Sequence, residues 1–225
     1  MAVAAELAGI ELVSIDSMQV YRGMDIGTAK PSAADREAVQ HHCIDLVDAT
    51  DDFTVAQFKK AHRLAIDEIV SREGRALLVG GTGLYHRVVI DDFDLPGEWP
   101  DVRASLESRE IADLYAQLVV IDEVAAAKIE PENRRRVVRA LEVTLGSGRP
   151  FSSFGPGVDH YPDSGVAQIG LRWPRAAIAD RIEARVGQMM ADGLIDEVSS
   201  LRTTGFSKTA AQALGYKETL MYLDG

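Results

Sequence analysis

A chain of 225 residues, 46% hydrophobic and 26% charged, carries enough apolar surface to offset chain entropy, which excludes extended disorder. No apolar run approaches the roughly 18 residues that span a bilayer, and the single cysteine, Cys43, allows no intrachain disulfide. A net charge of -11 excludes a protein that grips nucleic acid through its overall field, so any RNA contact must come from a local basic patch.

The opening residues, Met1-Ala2-Val3-Ala4-Ala5-Glu6, lack a basic stretch and carry an early acid, unlike a secretory signal. With the lone cysteine this sets a cytoplasmic expectation. Ala2 to Ala8 has the composition of the last turns of a helix. Ile10 to Ile15 is apolar and β-branched, ends at Asp16, and predicts a buried strand. A long loop, Ser17 to Pro31, follows. Ser32 is expected to cap a short helix through Gln40, and Cys43 to Val47 a short strand. Thr54 should cap a helix on which Val55, Phe58, His62, Ala65, Ile66 and Ile69 recur at helical spacing, with Gly74 ending it. Arg75 to Val79 predicts a second buried strand, stopped by Gly80-Gly81. Strand, helix, strand in this rhythm predicts a parallel sheet with covering helices.

From about Phe93 the pattern changes. Asp94-Leu95-Pro96-Gly97 interrupts it, and helical segments follow, chiefly Glu132 to Leu145 with Val137, Val138, Leu141 and Leu145 on one side. Gly146-Ser147-Gly148-Arg149-Pro150 should end that helix. Val166 to Leu171 is expected to return to the sheet as a strand. Pro174 should start a helix to Asp192, with Gly193 after it. The expected architecture is an α/β core of residues 1–93 and 166–225, interrupted by a helical insertion over 94–165.

Asp16 stands where a buried strand ends, the place where open α/β sheets bind ligands. Its carboxylate suits a general base or a metal-bound water; its plainer role is an Asx-turn with Ser17 and Met18. Gly80-Gly81-Thr82-Gly83-Leu84-Tyr85 is a second strand-end loop. Its glycines allow close backbone approach to an anion, with Thr82 as a hydroxyl donor or simply an N-cap. Asn133-Arg134-Arg135-Arg136-Val137-Val138-Arg139 places Arg135 and Arg139 on one helix face, either a phosphate-contacting stripe or a solvated face paired with Glu132 and Glu142. His41, His42, Cys43 and Asp45 do not suggest a metal site, because adjacent strand residues point to opposite faces. Met189-Met190 suggests core packing.

The run Asp16-Ser17-Met18-Gln19-Val20-Tyr21-Arg22-Gly23-Met24-Asp25-Ile26-Gly27-Thr28-Ala29-Lys30-Pro31 closely resembles the signature of the tRNA dimethylallyltransferases. Weaker matches follow in order: His41-His42 with Ile44-Asp45, the Gly80 to Tyr85 loop, Arg135 to Val143, and Gln212-Ala213-Leu214-Gly215-Tyr216-Lys217. Together they cover essentially the whole chain. The resemblance implies a P-loop-kinase-like, nucleotide- and ATP-binding type of core with a helical insertion domain. It implies prenylation of N6 of the adenosine 3′-adjacent to the anticodon, with dimethylallyl diphosphate as donor, a tRNA anticodon stem-loop as acceptor, and Mg2+ as cofactor. By the family pattern Asp16 is the general base, Thr82 bonds near the donor's bridging oxygen, and Arg185 binds diphosphate. Asp16, Ser17, Met18, Gln19, Arg135, Arg136, Arg139, Gln212, Gly215, Tyr216 and Lys217 match RNA-contacting segments. A cytoplasmic monomer without membrane association is expected.

The family pattern opens with a strand and a Gly-rich loop carrying Lys and Ser/Thr, none of which stands before Met1, and it continues past Gly225 into a basic segment. The 225 residues alone are therefore expected to transfer little prenyl. Three other readings remain open: an adenylate isopentenyltransferase acting on free nucleotides, a non-catalytic RNA-binding remnant, and a nucleotide kinase or ATPase. The insertion with its arginines favours RNA over a free nucleotide, and the missing Lys and Ser/Thr disfavour the kinase.

Overall fold

The computed structural model describes Ala4, Glu6 and residues 9–91, 95–155 and 163–225. The chain divides into two compact units, Met1–Val89 with Gly165–Gly225, and Ile90–Ser164.

In the first unit, β1 (Ile10–Ser14) is the central strand of a three-stranded sheet of order β3-β1-β5, with β3 at His41–His42 and β5 at Arg75–Val79. Both pairings are parallel, and β1 meets β5 in register from Ile10↔Arg75 to Ser14↔Val79. Side chains alternate along β1. Val13 and Ile15 join a core with Phe58, Ile69 and Tyr85, while Leu12 packs with Ala4 and Val39 in a second cluster. Both faces are thus buried, as the continuous apolar run requires. A second parallel pair joins β2 (Tyr21–Arg22) to β4 (Val47–Asp48).

The helix starts follow local chemistry. Ser32 caps α1 (Ala33–Ala38) in a capping box with Asp35, and Thr54 caps α2 (Val55–Ser71) in another with Gln57. The burial of Phe58, His62, Ala65 and Ile69 follows the expected spacing along α2. After it come α3 (Gly83–Ile90), α8 (Arg175–Ala191), α9 (Leu194–Thr204) and α10 (Tyr216–Asp224) in this unit, and α4 to α7 in the other. Among the described residues no helix is long and apolar enough to cross a membrane.

Several expectations are corrected. Of the expected strand over Cys43 to Val47 only Val47 is one, opening β4: Cys43 and Asp45 have φ of 61° and 53°, a left-handed turn that no ladder accommodates. Helix α1 stops at Ala38, because Val39 is already extended. At the end of α2 the left-handed position falls to Glu73 (φ 57°), while Gly74 packs under Ile69. Val166 to Leu171 forms no strand. A strand needs a hydrogen-bonded neighbour, none of the described strands pairs with it, and Ile169 and Leu171 stay exposed. Met189 is core, but Met190 is half-exposed. Most of the expected helix over Ala2 to Ala8 lies outside the described residues, as do Asp94 and residues 156–162.

The second unit packs α4 (Pro100–Glu107), α5 (Ile111–Ile121), α6 (Glu123–Ala126) and α7 (Arg134–Ser147) around Leu106, Leu114, Leu118, Val137 and Leu141. Asn133 caps α7, and Gly148 closes it in a left-handed conformation with φ of 71°. Glu142 lies inside this unit with its side chain 1% exposed, accepting from the Trp99 amide (2.9 Å), Arg103 (3.2 Å) and Arg139 (2.9 Å). Glu142→Ala leaves that amide without its acceptor and takes the buried carboxylate from both guanidinium groups, and we expect a loss of about 2–4 kcal/mol in urea unfolding of this unit.

His62 is the other buried polar group with a measurable consequence. Its Nε2 has no hydrogen-bond partner among the described residues, and burial pushes its imidazole below the ordinary value. The unfolded chain therefore takes up the proton first as pH falls. Stability is full above the unfolded value of about 6.5 and is lost as pH drops through it toward the lower folded value. Unfolding curves on either side of that value should show this loss, and His62→Phe should reduce it.

Candidate active site

The parallel register sets the ends of β1 and β5 side by side. The Ile15 amide donates to the Val79 carbonyl at 2.8 Å, and the Thr82 amide reaches the Ile15 carbonyl at 3.4 Å. Gly80 makes this approach feasible: a Cβ there would lie 2.1 Å from the Ile15 carbonyl oxygen. The loops after the two strands, carrying Asp16 and Thr82, are consequently held together.

Asp16 is half-buried. Its Oδ1 accepts from the amides of Met18 (2.8 Å) and Gln19 (3.3 Å), which is the Asx-turn of the plainer reading. Oδ2 takes no hydrogen bond from the described residues, so the turn fixes the carboxylate and leaves one oxygen available. Thr82 does not cap α3 with its side chain. Its Oγ1 accepts from the Ser17 amide at 3.1 Å and donates to Ser17 Oγ at a long 3.4 Å. Helix α3 starts at the next residue, so the amides of its first turn and the positive end of its dipole lie beside the loop. A Cβ on Gly81 or Gly83 would meet nothing within 4 Å, so this surface is open.

The rest of the signature run is occupied within the fold. Gln19 is anchored at both ends of its amide: Oε1 accepts from Ser14 Oγ (2.8 Å), and Nε2 donates to the carbonyls of Thr28 (3.0 Å) and Ala29 (3.3 Å). The Lys30 side chain, 1% exposed, donates to the Tyr21 carbonyl, Asp25 (2.8 Å) and Asp45 (2.6 Å). Arg36 also reaches Asp45 at 2.6 Å. Burial alone would raise the Asp45 carboxyl, but Lys30 and Arg36 outweigh it and hold it below the usual range. Met18 packs against the core.

Arg185 is exposed on α8 and has no hydrogen bond or ion pair with the described residues. It lines a cavity of about 550 Å³ with Asp25, Lys30, Ser32, Arg36 and Asp192. Neither Asp16 nor Thr82 lines that cavity. The arginine run also divides. Arg135 and Arg136 are exposed, whereas Arg139 is spent on Glu142 and the carbonyls of Pro96 (2.8 Å) and Gly97 (3.1 Å). Arg134 reaches the carbonyls of Glu107 (2.6 Å) and Arg109 (2.7 Å). In the late block Gln212 and Lys217 are exposed and Gly215 is half-buried, but Tyr216 is fully buried with its hydroxyl donating to Glu197. Burial first, and then Glu197, pushes the Tyr216 phenol well above its ordinary value.

His42 bonds Glu11, His41 bonds the Val39 carbonyl, and Asp45 faces Lys30 and Arg36, so these residues are committed to separate partners. Glu197 was not singled out from the sequence. It accepts from the amides of Asp25 (3.0 Å), Ile26 (2.8 Å) and Gly27 (3.4 Å), residues some 170 positions away. Next to Asp196 in the first turn of α9, it has the sequence context of an ordinary helix-start acid.

Comparison with known proteins shows the family of this chain. The family model described as "IPP transferase" matches residues 19–225. A tRNA dimethylallyltransferase of Kineococcus radiotolerans is 46% identical over 222 residues, covering 96% of this chain and 69% of the relative. The crystal structure of a tRNA isopentenylpyrophosphate transferase from Bacillus halodurans is 43% identical, with a TM-score of 0.65 over 100% of this chain and 72% of its own. A eukaryotic dimethylallyltransferase acting on tRNA is 25% identical, with a TM-score of 0.75 over 98% of this chain and 58% of its own. These neighbours agree with a P-loop-kinase-like α/β core, and the chain belongs to the IPP transferase family.

Proposed function

We propose that this chain carries the acceptor-side chemistry for transfer of a dimethylallyl group from dimethylallyl diphosphate to N6 of the adenosine 3′-adjacent to the anticodon of tRNA. The observation that carries the reading is Asp16: a carboxylate fixed through one oxygen, with the other available, beside Thr82 at the ends of adjacent parallel strands. The exocyclic amine of adenine is a weak nucleophile, because its lone pair is delocalised into the ring. As the N6–C1 bond forms and the C1–O bond to diphosphate breaks, the nitrogen must lose a proton, and Asp16 accepts it. Thr82 keeps the Ser17 amide as donor and turns its own proton to the bridging oxygen of the donor, giving up only the 3.4 Å bond to Ser17 Oγ.

Arg185, exposed and without a partner among the described residues, is proposed as a diphosphate contact. Among the described residues no group of three His, Cys, Asp or Glu side chains converges on a point. Mg2+ bound with the donor would help neutralise the charge that develops on the departing diphosphate, and no step is derived through it. A cytoplasmic monomer is the form proposed.

For the acceptor, the exposed Arg135 and Arg136 on a unit of their own favour RNA over a free nucleotide. The test sets an anticodon stem-loop against AMP as acceptors. Arg135→Glu with Arg136→Glu should weaken stem-loop binding and flatten its log–log salt slope by about 1.4–1.8. AMP out-competing the stem-loop, or an unchanged slope, would instead favour the adenylate isopentenyltransferase.

A further inference from the structure

We infer that Glu197 is a positioning residue for Asp16, acting through the Asp25–Ala29 loop and Gln19; the inference rests on the proposed role of Asp16 as base. Both carboxylate oxygens of Glu197 turn away from their own helix. Oε2 accepts from the amides of Asp25 and Ile26, and Oε1 accepts from the Gly27 amide and the Tyr216 hydroxyl. The Tyr216 ring then lies flush on Gly27, where a Cβ would sit 2.3 Å from Cε2. One carboxylate and one ring thus clamp three consecutive backbone units.

The clamped segment is a tight turn. The Ala29 amide donates to the Ile26 carbonyl and the Lys30 amide to the Asp25 carbonyl, both at 3.0 Å, and Ala29 has φ of 50°. That turn presents the carbonyls of Thr28 and Ala29 to the Gln19 amide group, whose oxygen accepts from Ser14 Oγ on β1. Gln19 cannot rotate without losing three bonds, and its own backbone amide is one of the two that hold Asp16 Oδ1. The connection therefore runs from Glu197 to the turn, to the Gln19 side chain, to the Asp16 carboxylate. It also gives the buried Tyr216 and the internally bonded Gln19 a role within the fold.

Backbone amide exchange, followed by NMR on the 225-residue chain, tests this without requiring turnover. In Glu197→Gln the amides of Asp25, Ile26 and Gly27 should exchange about tenfold faster or more, because a charge-assisted acceptor is lost. The amides of Met18 and Gln19 should accelerate with them, while those of β1 and α2 hold. In Gln19→Ala only Met18 and Gln19 should accelerate. Should Glu197→Gln fail to fold, Tyr216→Phe removes a single bond and should give the same pattern more weakly.

Faster exchange confined to Asp25–Gly27, or faster exchange everywhere in step with lower global stability, overturns the inference. So does unchanged exchange at Met18 and Gln19 in Gln19→Ala. Failure of the functional reading would be seen separately, as a chimera, with this chain's residues in place of their counterpart in the Kineococcus radiotolerans relative, that transfers no prenyl while these exchange patterns stand.

Discussion

Asp16→Asn should lower the rate of prenyl transfer by about 10²–10⁴-fold with little change in substrate binding. The asparagine carbonyl can still accept from the Met18 and Gln19 amides, so the turn that fixes the side chain survives. What is lost is the oxygen proposed to take the proton from N6. Single-turnover measurements on a chimera, in which these residues replace their counterpart in the Kineococcus radiotolerans relative, separate that loss from binding. A variant that keeps full rate would show that the proton leaves by another route and that Asp16 only shapes the loop. Asp16→Ala should lose the rate and the turn together, so the pair of variants divides chemistry from geometry.

The second large effect belongs to Gly80. An alanine there would place its Cβ 2.1 Å from the carbonyl oxygen of Ile15 and 2.4 Å from the carbonyl carbon. Both are backbone atoms of the residue just past β1, whose amide bonds the Val79 carbonyl at 2.8 Å, so neither can move without disturbing the register that brings Asp16 to Thr82. Gly80→Ala should cost about 3 kcal/mol or more of stability and separate the two loops. Gly81→Ala is the control one residue away. With nothing within 4 Å of its Cβ, it should change stability by no more than about 0.5 kcal/mol. Denaturant unfolding of the two variants checks both. Similar stabilities would mean that the strand ends are not closed on each other as described.

The sequence carried what is local. The β-branched run of β1, the caps at Ser32 and Thr54, the spacing on α2 and the glycines after β5 each rest on interactions within a few residues, and each is where the pattern placed it. The misplaced elements depend on distant partners. Val166 to Leu171 has strand composition, but strand formation depends on a neighbour's hydrogen bonds, which composition does not report. Cys43 to Val47 is apolar enough for a strand, yet Lys30 and Arg36 draw Asp45 into a left-handed turn through contacts 15 and 9 residues away.

The site divides in the same way. Asp16 and Thr82 were legible because strand ends in parallel sheets gather ligand-facing loops. That Arg139 is spent on Glu142, and that Glu197 bonds across some 170 residues, leave no mark in local spacing. Arginines three or four apart look alike whether they face solvent or a buried carboxylate.

The most direct measurement is transfer of labelled prenyl from dimethylallyl diphosphate to an anticodon stem-loop by the chimera, followed by digestion and mass spectrometry of the product. The account predicts label on N6 of the adenosine 3′ of the anticodon, absent when Asp16 is replaced by alanine. Label that persists in that variant, or an unsubstituted chimera that binds the stem-loop and leaves it unmodified, would contradict it.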